Sequence, residues 1–289
     1  MHTARTPLTM RGWWASSAAL LITAAALAVT LLLPRLFSDP VGVDPYVLRL
    51  SAVAVALGGV SLLWRRLTGA RPVLLAVAAM TVSYSVFAGG PQWIANLSGT
   101  RFDFNTQVLL ASIGQALVTL LIAIPAVRMS PPSLRPLLRL RRFGAGAIIT
   151  SVLGVLAFLA LVMLLPATAL GRQGLAPIAL ARDLPVQGPA DALQALAQEL
   201  QFRGLLLGAL DRVAPPWAAN LGQASFFGLA HIAVQYQGPA GAFVPVTIAL
   251  GFVFGWITQR TGSLWPAIII HAIADIAVTA GVIPGLYGY

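Results

Sequence analysis

The chain has 289 residues, of which 58% are hydrophobic and 9% charged, with a mean hydropathy of +0.85 and a formal net charge of +10. Soluble domains carry roughly 25% charged residues, so this composition excludes a water-soluble globular protein and indicates an integral membrane protein. Cysteine is absent, which excludes disulfides, thiolate metal sites and cysteine nucleophiles.

In chain order, apolar segments predict helices at 13–34, 45–64, 72–90, 107–127, 144–165, 190–210, 215–235, 241–259 and 263–283. Most approach the 20 or so residues that cross a ~30 Å hydrocarbon core. The expected fold is an all-α polytopic membrane helix bundle of about eight or nine transmembrane helices. The first run, Trp13 to Leu33, is too long for a signal-peptide core and lacks a small-residue cleavage site, so it reads as a span. The basic loop 128–142, "RMSPPSLRPLLRLRR", divides the chain into an N-terminal set of helices (1–143) and a second unit (144–289). Residues 166–190, with prolines and mixed polarity, read as a loop able to dip into the membrane.

All basic side chains are arginines, and with abundant Ala, Gly and Pro this suggests a GC-rich bacterial genome. Placing Arg5 and Arg11 inside puts twelve arginines on the cytoplasmic side and four (Arg35, Arg101, Arg172, Arg182) outside. That asymmetry fits a plasma-membrane protein with a cytoplasmic N-terminus. The same loop clustering explains the net charge through lipid and topology, and no nucleic-acid partner is expected.

Ionisable side chains inside a membrane are costly and are functional candidates by default. The second half holds Glu199 (the only glutamate), Arg203, His231, His271 and Asp275, with Gln198 beside them. Glu199 and Arg203, Phe227 and His231, and His271 and Asp275 are each four residues apart. Residues at i and i+4 share a helix face. Taken singly, each pair reads equally as a helix tie or as packing. Together, two carboxylates and two imidazoles on three helices form a candidate hydrolytic or metal-binding cluster.

The ordered motifs "QELQFRG" (198–204), "FFGLAH" (226–231) and "TGSLWPAIIIHAIAD" (261–275) resemble the CPBP family of intramembrane proteases, relatives of the CAAX prenyl proteases and of bacteriocin-processing and immunity proteins. The resemblance spans roughly residues 185–283. It implies a membrane cavity open to the cytoplasmic side, in which a carboxylate and a histidine activate water against a peptide carbonyl. His231 would partner the activating carboxylate, and His271 with Asp275 would contact the carbonyl oxygen or a metal. Such a site acts on a membrane-embedded or membrane-tethered peptide or protein substrate in the lipid bilayer. The resemblance leaves two schemes open: zinc held by Glu199, His231 and His271, or a metal-free glutamate base. There is no HExxH arrangement.

The family's motif begins with two acidic residues, the first serving as the water-activating base. Here that position is Gln198, an amide that takes up no proton at useful pH. The second acid, Glu199, is expected to pair with Arg203, which holds it ionised and makes it a weaker base. Two readings follow: an intramembrane endopeptidase in which Glu199, or a metal, activates water without Gln198, or a catalytically silent homologue acting as a membrane binding or immunity protein. A third, a proton relay through Glu199, His231 and His271, lacks the repeated halves and interrupted helices common in transporters.

Overall fold

The computed structural model describes residues 71–128, 144–164, 177–212, 214–230 and 240–287, with scattered helical residues between 52 and 63. The span expected at 13–34, nearly all of that at 45–64, the basic loop after Arg128, and His231 lie outside the described residues. Every described element is helical, as the hydropathy pattern predicts. In order these are α1 (Arg71–Ser98), α2 (Phe104–Arg128), α3 (Ala145–Leu164), α4 (Pro177–Glu199), a π-helical segment (Leu200–Leu206), α5 (Leu207–Leu210), α6 (Pro216–Ala230), α7 (Ala240–Thr261) and α8 (Trp265–Tyr287).

The largest departure from the sequence expectation is α4. It begins at Pro177, thirteen residues before the predicted start at 190, and carries Pro185 and Pro189 within it. Most of the expected loop 166–190 is therefore helix from Pro177 onward. Prolines are disfavoured inside helices because they lack the N–H donor, yet in membrane helices neighbouring groups re-satisfy the freed carbonyls. The rod continues without a break through the π segment, since Glu199, Leu206 and Leu207 all keep right-handed helical dihedrals. The N–H of Leu207 donates to the Phe202 carbonyl, five residues back.

Each helix has a reason for its neighbour. The π segment is buried throughout, from Leu200 to Leu206. Leu205, Leu206 and Leu207 join Val73, Leu74, Val77 and Met80 of α1 in one apolar cluster. Gly228 of α6 faces α7 so closely that an added Cβ would fall 2.2 Å from Ile248 Cγ1. Gly154 of α3 stands in the same relation to Ile270 of α8, at 2.2 Å from its Cδ1. Small residues of this kind let helix backbones approach where lipid supplies no hydrophobic drive.

Outward, α3 shows Ile148, Ile149, Val152, Leu153, Leu156 and Leu159, all exposed along one stripe. An apolar stripe of that extent is incompatible with water and is the face expected toward lipid. α1 (Val73–Ser98) and α2 (Phe104–Ile124) are long and apolar enough to span a bilayer. The chain is a membrane protein.

Candidate active site

Four helix ends meet at one pole of the bundle: α5 closes at Leu210, α6 opens at Pro216, α7 closes at Thr261 and α8 opens at Trp265. Gln259 ties this pole together, its Nε2 donating to Asp211 Oδ1 (2.9 Å) and to the Pro216 carbonyl (3.0 Å). Glu199, Phe227, Gly251 and His271 all lie between six and eleven residues from it. At 1.5 Å per residue that is a depth of about 9–16 Å. With the helix ends joined at this pole, these offsets bring the four to a similar depth.

At that level Glu199 is the hub. Its Oε1 accepts from Arg203 Nη1 at 2.8 Å and lies 2.7 Å from His271 Nδ1. Glu199, Arg203 and His271 are respectively 0%, 1% and 4% exposed. A carboxylate so placed fixes the tautomer: Nδ1 of His271 carries the proton it donates. On the other side of the ring Nε2 stands 3.4 Å from Asp275 Oδ2, an ion-pair distance too long for a short hydrogen bond. His271 is thus held between two carboxylates, one on α4 and one a turn along its own helix.

Arg203 is enclosed by aromatic rings. Its guanidinium carbon is 4.2 Å from the Phe227 ring centre, 5.3 Å from Phe254 and 5.8 Å from Phe202. Desolvated contacts of a cation with ring faces are worth about 2 kcal/mol, which offsets part of the cost of burying the charge. Phe227 also meets His271 edge-on, with centres 5.5 Å apart, and Phe254 is tilted over the same ring at 5.6 Å. The motif phenylalanine therefore packs both the arginine and the histidine.

A polar layer on α6 and α7 completes the site, and the sequence reading did not anticipate it. Arg203 Nη2 donates to the Gly251 carbonyl at 3.2 Å, and Gln223 Nε2 donates to the same oxygen at 2.8 Å. Asn220 Nδ2 donates to the Phe252 carbonyl at 2.9 Å. Gly251 and Gly255 make the approach possible: a Cβ at Gly255 would sit 1.9 Å from Asn220 Oδ1. The spacings Asn220–Gln223 and Gly251–Gly255, each on one helix face, are the sequence signals that could have pointed there.

Gln198 lies one residue from the hub and about 100° round the helix. It is partly buried, and its Oε1 has no hydrogen-bond partner among the described residues. The structure thus unites Glu199, Arg203, His271 and Asp275, leaves Gln198 to one side, and does not describe His231.

Residues 190–277 match the family model described as type II CAAX prenyl endopeptidase, Rce1-like. This segment is similar to that family. It takes in all three motifs and every candidate site residue, in agreement with the resemblance drawn from the motifs, and it runs from within α4 to within α8. The Rce1-like family is one of CAAX-type intramembrane proteases, which act on membrane-associated peptides. No curated protein and no solved structure matches the chain.

Among the described residues no group of three or more His, Cys, Asp or Glu side chains is arranged to hold a metal. Both ring nitrogens of His271 already face carboxylates. Of the zinc ligands that the resemblance implies, Glu199 and His271 are described and His231 is not, and no chemical step below is routed through a metal.

Proposed function

We propose that the chain is an intramembrane endopeptidase that hydrolyses peptide bonds of membrane-embedded or membrane-tethered substrates, with its N-terminus cytoplasmic in a bacterial plasma membrane. The supporting observation is the division of labour within Glu199. Oε1 is fixed by Arg203 and His271, while Oε2, fully buried, has no hydrogen-bond partner among the described residues. In this reading Oε2 takes the proton of the attacking water as that oxygen bonds to the peptide carbonyl carbon. The carbonyl oxygen becomes an oxyanion and accepts from Nε2 of a protonated His271, in place of the long contact to Asp275. The proton on Glu199 then passes to the leaving amine as the C–N bond breaks. Arg203 is the counter-ion that positions the carboxylate. Burial among phenylalanines keeps competing water from the guanidinium.

Gln198 favours a second reading, a silent homologue acting as a membrane binding or immunity protein, because the base expected at that position is an amide. The test is cleavage of an internally quenched, membrane-tethered peptide by the protein in liposomes. The expected result is turnover by the natural chain and a loss of about 10²–10⁴-fold in Glu199→Gln, the range for removing a general base. An inert natural chain that gains turnover on Gln198→Glu would establish the silent reading instead. Metal analysis before and after His271→Ala tests zinc binding by His231, His271 and Glu199.

A further inference from the structure

A second polar feature lies on the side of α4 turned away from α8. Gln187 Nε2 donates to Asn105 Oδ1 of α2 at 2.8 Å, and Gln201 Nε2 donates to Thr119 Oγ1 of α2 and to Ser83 Oγ of α1. Both α2 contacts join residues 82 apart in sequence. The helices therefore run parallel, in constant register, over fourteen residues or about 21 Å. Between those two ties α4 carries Asp191, Gln194 and Gln198. The steps from Gln187 to Gln201 are thus four, three, four and three, the spacing of a single helix face.

The facing residues of α2 match. The same offset sets Ser112 level with Gln194, and Gln115 level with residue 197, beside Gln198. Ser112 and Gln115 are 0% and 3% exposed. Ser112 Oγ, Gln115 Oε1 and Gln198 Oε1 are all buried and without a hydrogen-bond partner among the described residues. Each such group left dry costs about 1–3 kcal/mol, so three within two turns of one interface make a dry seam improbable on energetic grounds. Buried waters are the ordinary partners of such groups.

We propose that the α2–α4 seam is a water-binding site, in which waters bridge Ser112, Gln115 and Gln198 and connect the Asn105–Gln187 end of the bundle to the rear of Glu199. This gives Gln198 a function as an amide: it is the last member of the seam and hands water to the carboxylate next to it. The seam stands on its own geometry; only its use as a source of hydrolytic water rests on the protease reading.

The natural chain has no cysteine, so single thiols can be introduced and labelled in liposomes with 2-aminoethyl methanethiosulfonate. Thr100→Cys, in the exposed turn between α1 and α2, should label at once and shows that protein and reagent are competent. Ala111→Cys, buried on α2 off the seam face, should label slowly. Ser112→Cys, and Gln115→Cys as a second probe, should label at least ~10-fold faster than Ala111→Cys, because a thiol ionises and reacts only where water reaches it. Adding Gln115→Leu to Ser112→Cys should slow its labelling. The proposal is overturned if both seam thiols react no faster than the one at 111 while that at 100 reacts, or if Gln115→Leu leaves the Ser112→Cys rate unchanged. Labelling needs no peptidase activity, so seam and protease fail separately. If both stand, Gln115→Leu lowers kcat on the tethered peptide and leaves KM unchanged.

Discussion

Replacing Arg203 with methionine removes the charge but keeps much of the volume, and the structure sets the size of the effect. The guanidinium is 1% exposed, donates to Glu199 Oε1 at 2.8 Å and rests 4.2 Å from the Phe227 ring. Removing one partner of a buried ion pair costs about 3–5 kcal/mol, most of it the stranded charge. His271 keeps its contact with the same oxygen at 2.7 Å, which places the expected loss at the lower end, about 3 kcal/mol. Glu199→Gln strands the arginine in turn and should cost a similar amount. The double variant Glu199→Gln/Arg203→Met strands neither, so its loss should fall below the sum by about 2 kcal/mol, within the range found for residues in direct contact. Thermal unfolding followed by the fluorescence of the seven tryptophans reads these differences. At about 2–4 °C per kcal/mol, each single variant should melt about 6–12 °C lower. Additive losses in the double variant, or a shift under ~2 °C in Arg203→Met, would show that the pair does not hold the site together.

Gly255→Ala should destabilise by about 1–3 kcal/mol through overpacking, because its Cβ falls 1.9 Å from Asn220 Oδ1 and 2.6 Å from Gln223 Nε2. Thermal unfolding measures it, and an unchanged melting temperature would mean that the Asn220–Gln223 layer is not closely packed. Outside the membrane-spanning helices, Asp103 Oδ1 accepts from the Thr106 N–H at 2.7 Å and caps the start of α2. Hydrogen bonds from Thr106 hold its carboxyl below the usual aspartate range. A lowered value in the folded state favours folding above the ordinary aspartate value near 3.9, and this contribution is lost as pH falls through the lower, folded value. Hydrogen exchange at the Thr106 amide should therefore speed up in Asp103→Ala at pH 7, and the difference from the natural chain should vanish in strong acid.

How much of this was legible in the sequence depended on what each residue's signal was made of. Glu199, Arg203, His271 and Asp275 stood out because charge inside an apolar run is costly, and their i,i+4 spacing correctly paired Glu199 with Arg203. The contact between Glu199 and His271 was not legible, since it depends on how α4 and α8 are placed in depth. The start of α4 at Pro177 was missed because prolines and polar residues lowered the local hydropathy, although tertiary packing overrides both. The Asn220, Gln223 and Gly251 layer was missed because neutral amides and glycines carry no charge signal. Gln201 was missed for the same reason, although it ties the rod to both α1 and α2.

The π segment bears on how this chain tolerates change. A bond from Leu207 back to Phe202 means that the rod holds one residue more per turn here than an α-helix requires. Were the same residues to rewind as plain α-helix, everything beyond would turn by about 100°. Glu199 and Gln201 could then no longer keep their separate partners on α8 and α2 while α5 kept its place in the apolar cluster with α1. This stretch should therefore accept side-chain changes that keep the wide turn and resist those that rewind it.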